Sequence, residues 1–80
     1  MGVRDQIREF IRASFFVEAF KDEDSLLEKG IVDSMGMAQL VAYLEDEFGI
    51  VLDDAELVPE NLDSVERAAS FVERKRRRTA

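Results

Sequence analysis

Neither cysteine nor histidine occurs anywhere in this 80-residue chain. Disulfides are therefore excluded, and so are thiolate or imidazole metal sites and any Ser–His or Cys–His catalytic pair. Proline occurs once and tryptophan not at all, while hydrophobic residues make up 46%. Such a chain is expected to form one small domain over 1–80, with too little interior for a deep enzyme cleft beside a core. No apolar run reaches the length of a signal peptide or a membrane span, and the start, MGVRDQIREF, is charged and amphipathic. The expected compartment is the cytoplasm, without membrane contact.

Positive charge is scarce through the middle of the chain. Residues 18–66 hold fifteen acids against two bases, Lys21 and Lys29. That stretch repels nucleic acid and attracts basic protein surfaces. The bases gather instead in Arg74, Lys75, Arg76, Arg77 and Arg78, so that 74–80 reads as a basic C-terminal tail. A nucleic-acid arm is one reading of it; a run that complements a helix dipole or is simply solvated is the preferred one. No nucleic-acid partner is expected, and the chain is expected to be monomeric. Asp22, Glu23 and Asp24 lack the glycine and the terminal bidentate glutamate of an EF-hand loop, so they read as a solvated acidic loop and no metal site is expected.

The apolar positions Val3, Ile7, Phe10, Ile11 and Phe15 follow one face of a helix, which is expected to fray near residues 16–20. In the polar segment that follows, Leu26 and Leu27 read as plugs pinning a long loop to the core. The strongest pattern starts after Asp33: Met37, Leu40, Val41, Leu44 and Phe48 share one face, and Gly49 supplies the stop. Met35, Gln39, Ala42 and Asp46 point the other way. A single short turn is expected around Asp54 to Leu57, and Pro59 forbids its long continuation. The last helix is expected to open with Asp63 as N-cap and Glu66 as its capping-box partner, burying Val65, Ala68, Ala69 and Val72. No useful strand alternation appears. The fold expected is all-α, a four-helix bundle of three longer helices and one short, with a long loop between the first two.

Ser34, in the stretch GIVDSMG, raises the question of chemistry. Asp33 suits the cap of the helix and Ser34 its first turn, which is ordinary helix-start composition. Three neighbours add to that. A helix N-terminus favours an anion, so a phosphodiester on Ser34 would lie at the positive end of the dipole. Met35 is apolar on the solvent side, and Gly36 is expected to leave the backbone approachable. Glu45, Asp46 and Glu47 place negative charge toward the other end of the helix. A greasy contact beside acids suits repeated, transient docking.

These residues resemble the acyl and peptidyl carrier proteins, which bear a 4′-phosphopantetheine arm. GIVDSMGMAQLVAYLEDEFGI is similar to the family's attachment loop and second helix, and the likeness extends through the loop with Leu26, Leu27 and Gly30 to the closing LVPENLDSVERAASFV. The resemblance implies an acyl-carrier-like bundle whose serine takes phosphopantetheine from coenzyme A through a separate phosphopantetheinyl transferase. The terminal thiol of the arm then holds an acyl or aminoacyl group as a thioester, a thiol the chain itself lacks. It further implies Ser34 as the attachment residue, Asp33 as the acid beside it, and Met35, Gln39, Ala42, Glu45 and Asp46 as the partner-binding face. The implied partners are an acyl- or aminoacyl-activating, adenylating ligase and a downstream acyltransferase or synthase. On this reading the chain is not an enzyme. Fatty-acid carriers typically have Asp where this chain has Gly36 and an acid where it has Gln39. Asp-Ser-Met and VPENLDSV look more like free-standing carriers, such as D-alanyl carrier proteins and those paired with stand-alone ligases.

Two other readings compete. An unmodified acidic helical module would use the Met35 face for noncovalent binding alone. A hydrolase with Ser34 as nucleophile would need Lys29 as its base, yet the surrounding acids favour the charged ammonium and work against that role.

Overall fold

The computed structural model describes residues 2–17 and 19–79, with side chains described through residue 77. Met1, Glu18 and Ala80 of the expected 1–80 span lie outside the described residues, as do the side chains of Arg78 and Thr79. Among the described residues all regular structure is helical. The elements are α1 (Val3–Phe15), α2 (Ser34–Phe48), a 3-10 turn (Asp54–Glu56), α3 (Pro59–Leu62) and α4 (Val65–Thr79). The short turn expected near Asp54 is there, and a second short element follows it because Pro59 starts α3 at a position where a missing N–H costs nothing. No helix among the described residues is long and apolar enough to cross a membrane.

The helical stripes decide the packing. Ile7 and Ile11 of α1, Leu40 and Leu44 of α2, and Val65, Ala68 and Val72 of α4 are all wholly buried. Each fully buried leucine or isoleucine contributes about 1.5–3 kcal/mol of transfer free energy. Helix α4 is the hub, meeting α1, α2 and α3. Phe71 is buried with the α4 stripe, in addition to the four residues expected there. Helix α1 ends at Phe15 and gives way to loop where expected, because Phe16 turns left-handed at φ 56°. Glycine is the usual occupant of that conformation, and here a phenylalanine 91% exposed adopts it. Helix α2 ends on Gly49 at φ 65°, whose N–H donates to the Glu45 carbonyl.

The long first connection is held at two points. Arg8 donates to Asp22 Oδ1 at 2.9 Å and to the Phe20 carbonyl at 2.6 Å, and its guanidinium lies 4.3 Å from the Phe20 ring centroid. Asp22 thus serves an ion pair inside the acidic loop. The second point is Asp63. Its Oδ1 accepts from Leu27 N–H at 2.9 Å, its Oδ2 accepts from the Ser25 hydroxyl, and its carbonyl accepts from Leu26 N–H. Leu26 is wholly buried and is the plug; Leu27, 41% exposed, is not. The expected cap of α4 is also corrected. Ser64 Oγ accepts from Arg67 N–H at 3.0 Å, so Ser64 is the capping residue, while Glu66 N–H donates to the Asp22 carbonyl. Asp63 is unavailable as a cap because the loop has claimed both of its oxygens.

The basic run is helical as far as Thr79. Lys75 reaches sideways to Glu56, with Nζ 2.6 Å from Oε1, and the Arg76 guanidinium lies 5.8 Å from the Phe48 ring.

Candidate functional site

The site is built where the loop meets α2. Leu26 carbonyl accepts from the N–H groups of Ile31 and Val32, closing the turn that delivers the chain to Asp33. Asp33 is extended (φ −110°), and its Oδ1 accepts from Gly36 N–H at 2.8 Å while its carbonyl accepts from Met37 N–H. With the capping done by the aspartate, Ser34 is the first residue of α2, exposed, and its hydroxyl makes no hydrogen bond within the described residues. Met35 beside it is 76% exposed.

Gly36 plays a different part from the one expected of it. It is buried, and a β-carbon added there would lie 3.0 Å from Phe15 Cε1 and 3.1 Å from Val32 Cβ. The glycine lets the first turn of α2 press against the end of α1 and the loop, rather than opening backbone at the surface. A side chain at this position would require Phe15 and Val32 to give by a few tenths of an ångström.

Beside Ser34 runs an apolar groove of about 370 Å³. Met37, Ala38 and Val41 of α2 form one side; Leu57, Val58, Pro59 and Leu62 form the other. Leu27, the failed plug, lines it from the loop, and Ser34 supplies the only polar side chain in that lining. The sequence pattern missed the far wall because Leu57 and Val58 belong to no helical stripe. Their apolar character next to Pro59, in an otherwise acidic segment, was the available signal.

The outward positions divide. Gln39, Ala42 and Asp46 are exposed and border a shallow groove with Phe10, Ser14, Tyr43 and Glu47. Tyr43 stacks on Phe10 with ring centroids 4.1 Å apart and donates its hydroxyl to the Gln6 carbonyl. Burial, with the Glu47 carboxylate adding to it, holds the Tyr43 phenol above its usual pKa. Glu45 does not line that groove: it is half-buried, and Oε2 accepts from Leu52 N–H at 2.9 Å.

Comparison with known proteins agrees with this geometry. Residues 3–72 match the family described as the phosphopantetheine attachment site. The chain is also 34% identical over 74 residues to a D-alanyl carrier protein of Streptococcus suis (strain 98HAH33), covering 90% of this chain and 92% of that protein. The chain belongs to the phosphopantetheine-binding carrier family. It is a carrier protein, and its cofactor is a covalently attached 4′-phosphopantetheine arm. The residues present suit that group: an uncommitted, exposed hydroxyl stands at the N-terminus of a fifteen-residue helix, beside an apolar groove.

Proposed function

We propose that Ser34 Oγ is the attachment oxygen and that the chain works as a shuttled substrate rather than as a catalyst, within a single carrier domain. The observation that carries this is the freedom of the Ser34 hydroxyl. Ser25 donates to Asp63 and Ser64 caps α4, and the exposed Ser14 and Ser70 lie within α1 and α4, whereas Ser34 is exposed and unengaged at the positive end of α2.

Asp33 fixes the first turn so that Ser34 projects from it, and the helix N-terminus offsets the charge of a diester on Oγ. When bound, the arm supplies a terminal thiol that carries an acyl or aminoacyl group as a thioester. The apolar walls of the groove exclude water from whatever lies against them. Met35 offers an apolar contact next to the serine, and Gln39, Ala42 and Asp46 extend the docking face along α2. Glu45 contributes charge there while its carboxylate holds Leu52.

The partners on this reading are a phosphopantetheinyl transferase, an adenylating ligase that loads the cargo, and a downstream acyltransferase or synthase, acting in the cytoplasm. The similarity to a D-alanyl carrier protein supports a ligase-loaded cargo. The lack of an acid at Gly36 and Gln39, the first in keeping with its tight seat, supports partners other than those of fatty-acid synthesis.

Incubation of the folded protein with coenzyme A and a promiscuous phosphopantetheinyl transferase should add one arm by intact-mass spectrometry, and Ser34→Ala should accept none. No addition to the wild type would favour the unmodified interaction module instead. Addition to Ser34→Ala would move the attachment to another residue.

A further inference from the structure

The basic end of α4 lies beyond the residues matched by the carrier family, and the carrier function gives it no task. Its position supplies one. We infer that Lys75 is a clasp that fixes the far wall of the groove beside Ser34, so that the end of α4 governs how far that groove opens; this rests on the carrier reading of the site.

The two ends of the far-wall segment are anchored, Ile50 and Leu52 at one and Leu62 at the other being buried in the core, while Leu57 and Val58 between them are not. Between Gly49 and Ser64 the chain forms only a three-residue 3-10 turn and a four-residue helix, too short to be stable on their own. Glu56 is the node of this segment. Its N–H donates to the Asp53 carbonyl, its Oε1 accepts from Asp53 N–H at 2.8 Å, and its carbonyl accepts from Asn61 Nδ2 at 3.0 Å. Leu57 and Val58, two residues of the wall, follow it directly.

The same Oε1 takes the Lys75 ammonium at 2.6 Å. Lys75 lies one turn past the buried Phe71, so the pull comes from a helix anchored in the core. The two side chains are 16% and 20% exposed, which sets this pair apart from Arg12–Glu9 on α1, at 43% and 57%. Screening by water is weaker here, and a charge-assisted bond holds correspondingly better. Loss of the ammonium leaves the Glu56–Asp53 capping box intact and removes one tie to α4, which loosens Leu57 and Val58 while Leu62 stays in the core.

Lys75→Met keeps the stem and removes the charge; Glu56→Gln keeps an acceptor for Asp53 N–H and removes the other charge. Amide hydrogen exchange on the unmodified chain tests the clasp without regard to whether Ser34 accepts an arm. Either variant should raise exchange at residues 53–58 by roughly tenfold, leave Leu40 and Leu44 within about twofold, and gain nothing further when the two are combined. An unchanged 53–58 segment, an equal rise throughout, or additive effects would each overturn the inference. In arm-bearing protein loaded with a short acyl thioester, hydroxylamine should release the acyl group severalfold faster from Lys75→Met than from the wild type. Equal release alongside raised exchange at 53–58 would overturn the control of the groove.

Discussion

Two Asp-Ser pairs open helices in this chain, Asp33-Ser34 at α2 and Asp63-Ser64 at α4, and they divide the work in opposite ways. At α2 the aspartate caps and the serine is left over. At α4 the serine caps, with Oγ 3.0 Å from Arg67 N, and the aspartate turns back to hold Ser25 and Leu27. Asp63 and Ser64 are 9% and 3% exposed, while Asp33 and Ser34 are both at the surface. One dipeptide therefore yields a buried joint in one place and a free hydroxyl in the other. What makes a serine available is whether its neighbour has already satisfied the helix.

The contrast can be broken at four places. The largest effect belongs to Asp63→Ala, which strands the Ser25 hydroxyl and the Leu27 N–H in a mostly buried site; a loss of about 2–4 kcal/mol is expected in urea unfolding. Next is Ser64→Ala, expected to cost about 1 kcal/mol through loss of its cap and yet to accept the arm at a wild-type rate by mass spectrometry. Asp33→Ala should cost a similar or slightly smaller amount, about 0.5–1 kcal/mol, but should also slow arm addition, because the turn presenting Ser34 loses its bond to Gly36. A modification rate slowed more by Ser64→Ala than by Asp33→Ala would erase the distinction between the pairs. Smallest is Ser34→Ala, for which the melting curve should move by less than about 0.5 kcal/mol while arm addition disappears.

Much of this was legible in the sequence because periodicity reports directly on which face is buried. The α2 stripe placed Leu40 and Leu44 in the core and left Met35, Gln39, Ala42 and Asp46 outside, as observed. What stayed hidden depends on partners far along the chain. Asp63 and Ser64 can each cap a helix, and the choice between them is made by Ser25, 38 residues away from Asp63. Leu26 and Leu27 are chemically alike, and only the turn around Leu26 sends one into the core and the other to the groove. The far wall of that groove, Leu57 to Leu62, has no period to read, since its place is set by packing of α3 against α4. Glu45 fits an acidic docking surface by composition, while its bond to Leu52 N–H shows up only in three dimensions.

The tight seat of Gly36 against Phe15 and Val32 also bears on chimeras. A grafted helix with a side chain at that position would crowd the Phe15 ring and Val32, so a transplant that carries the end of α1 and the preceding loop along with the donor helix keeps a matched seat, and those three segments form the better exchangeable cassette.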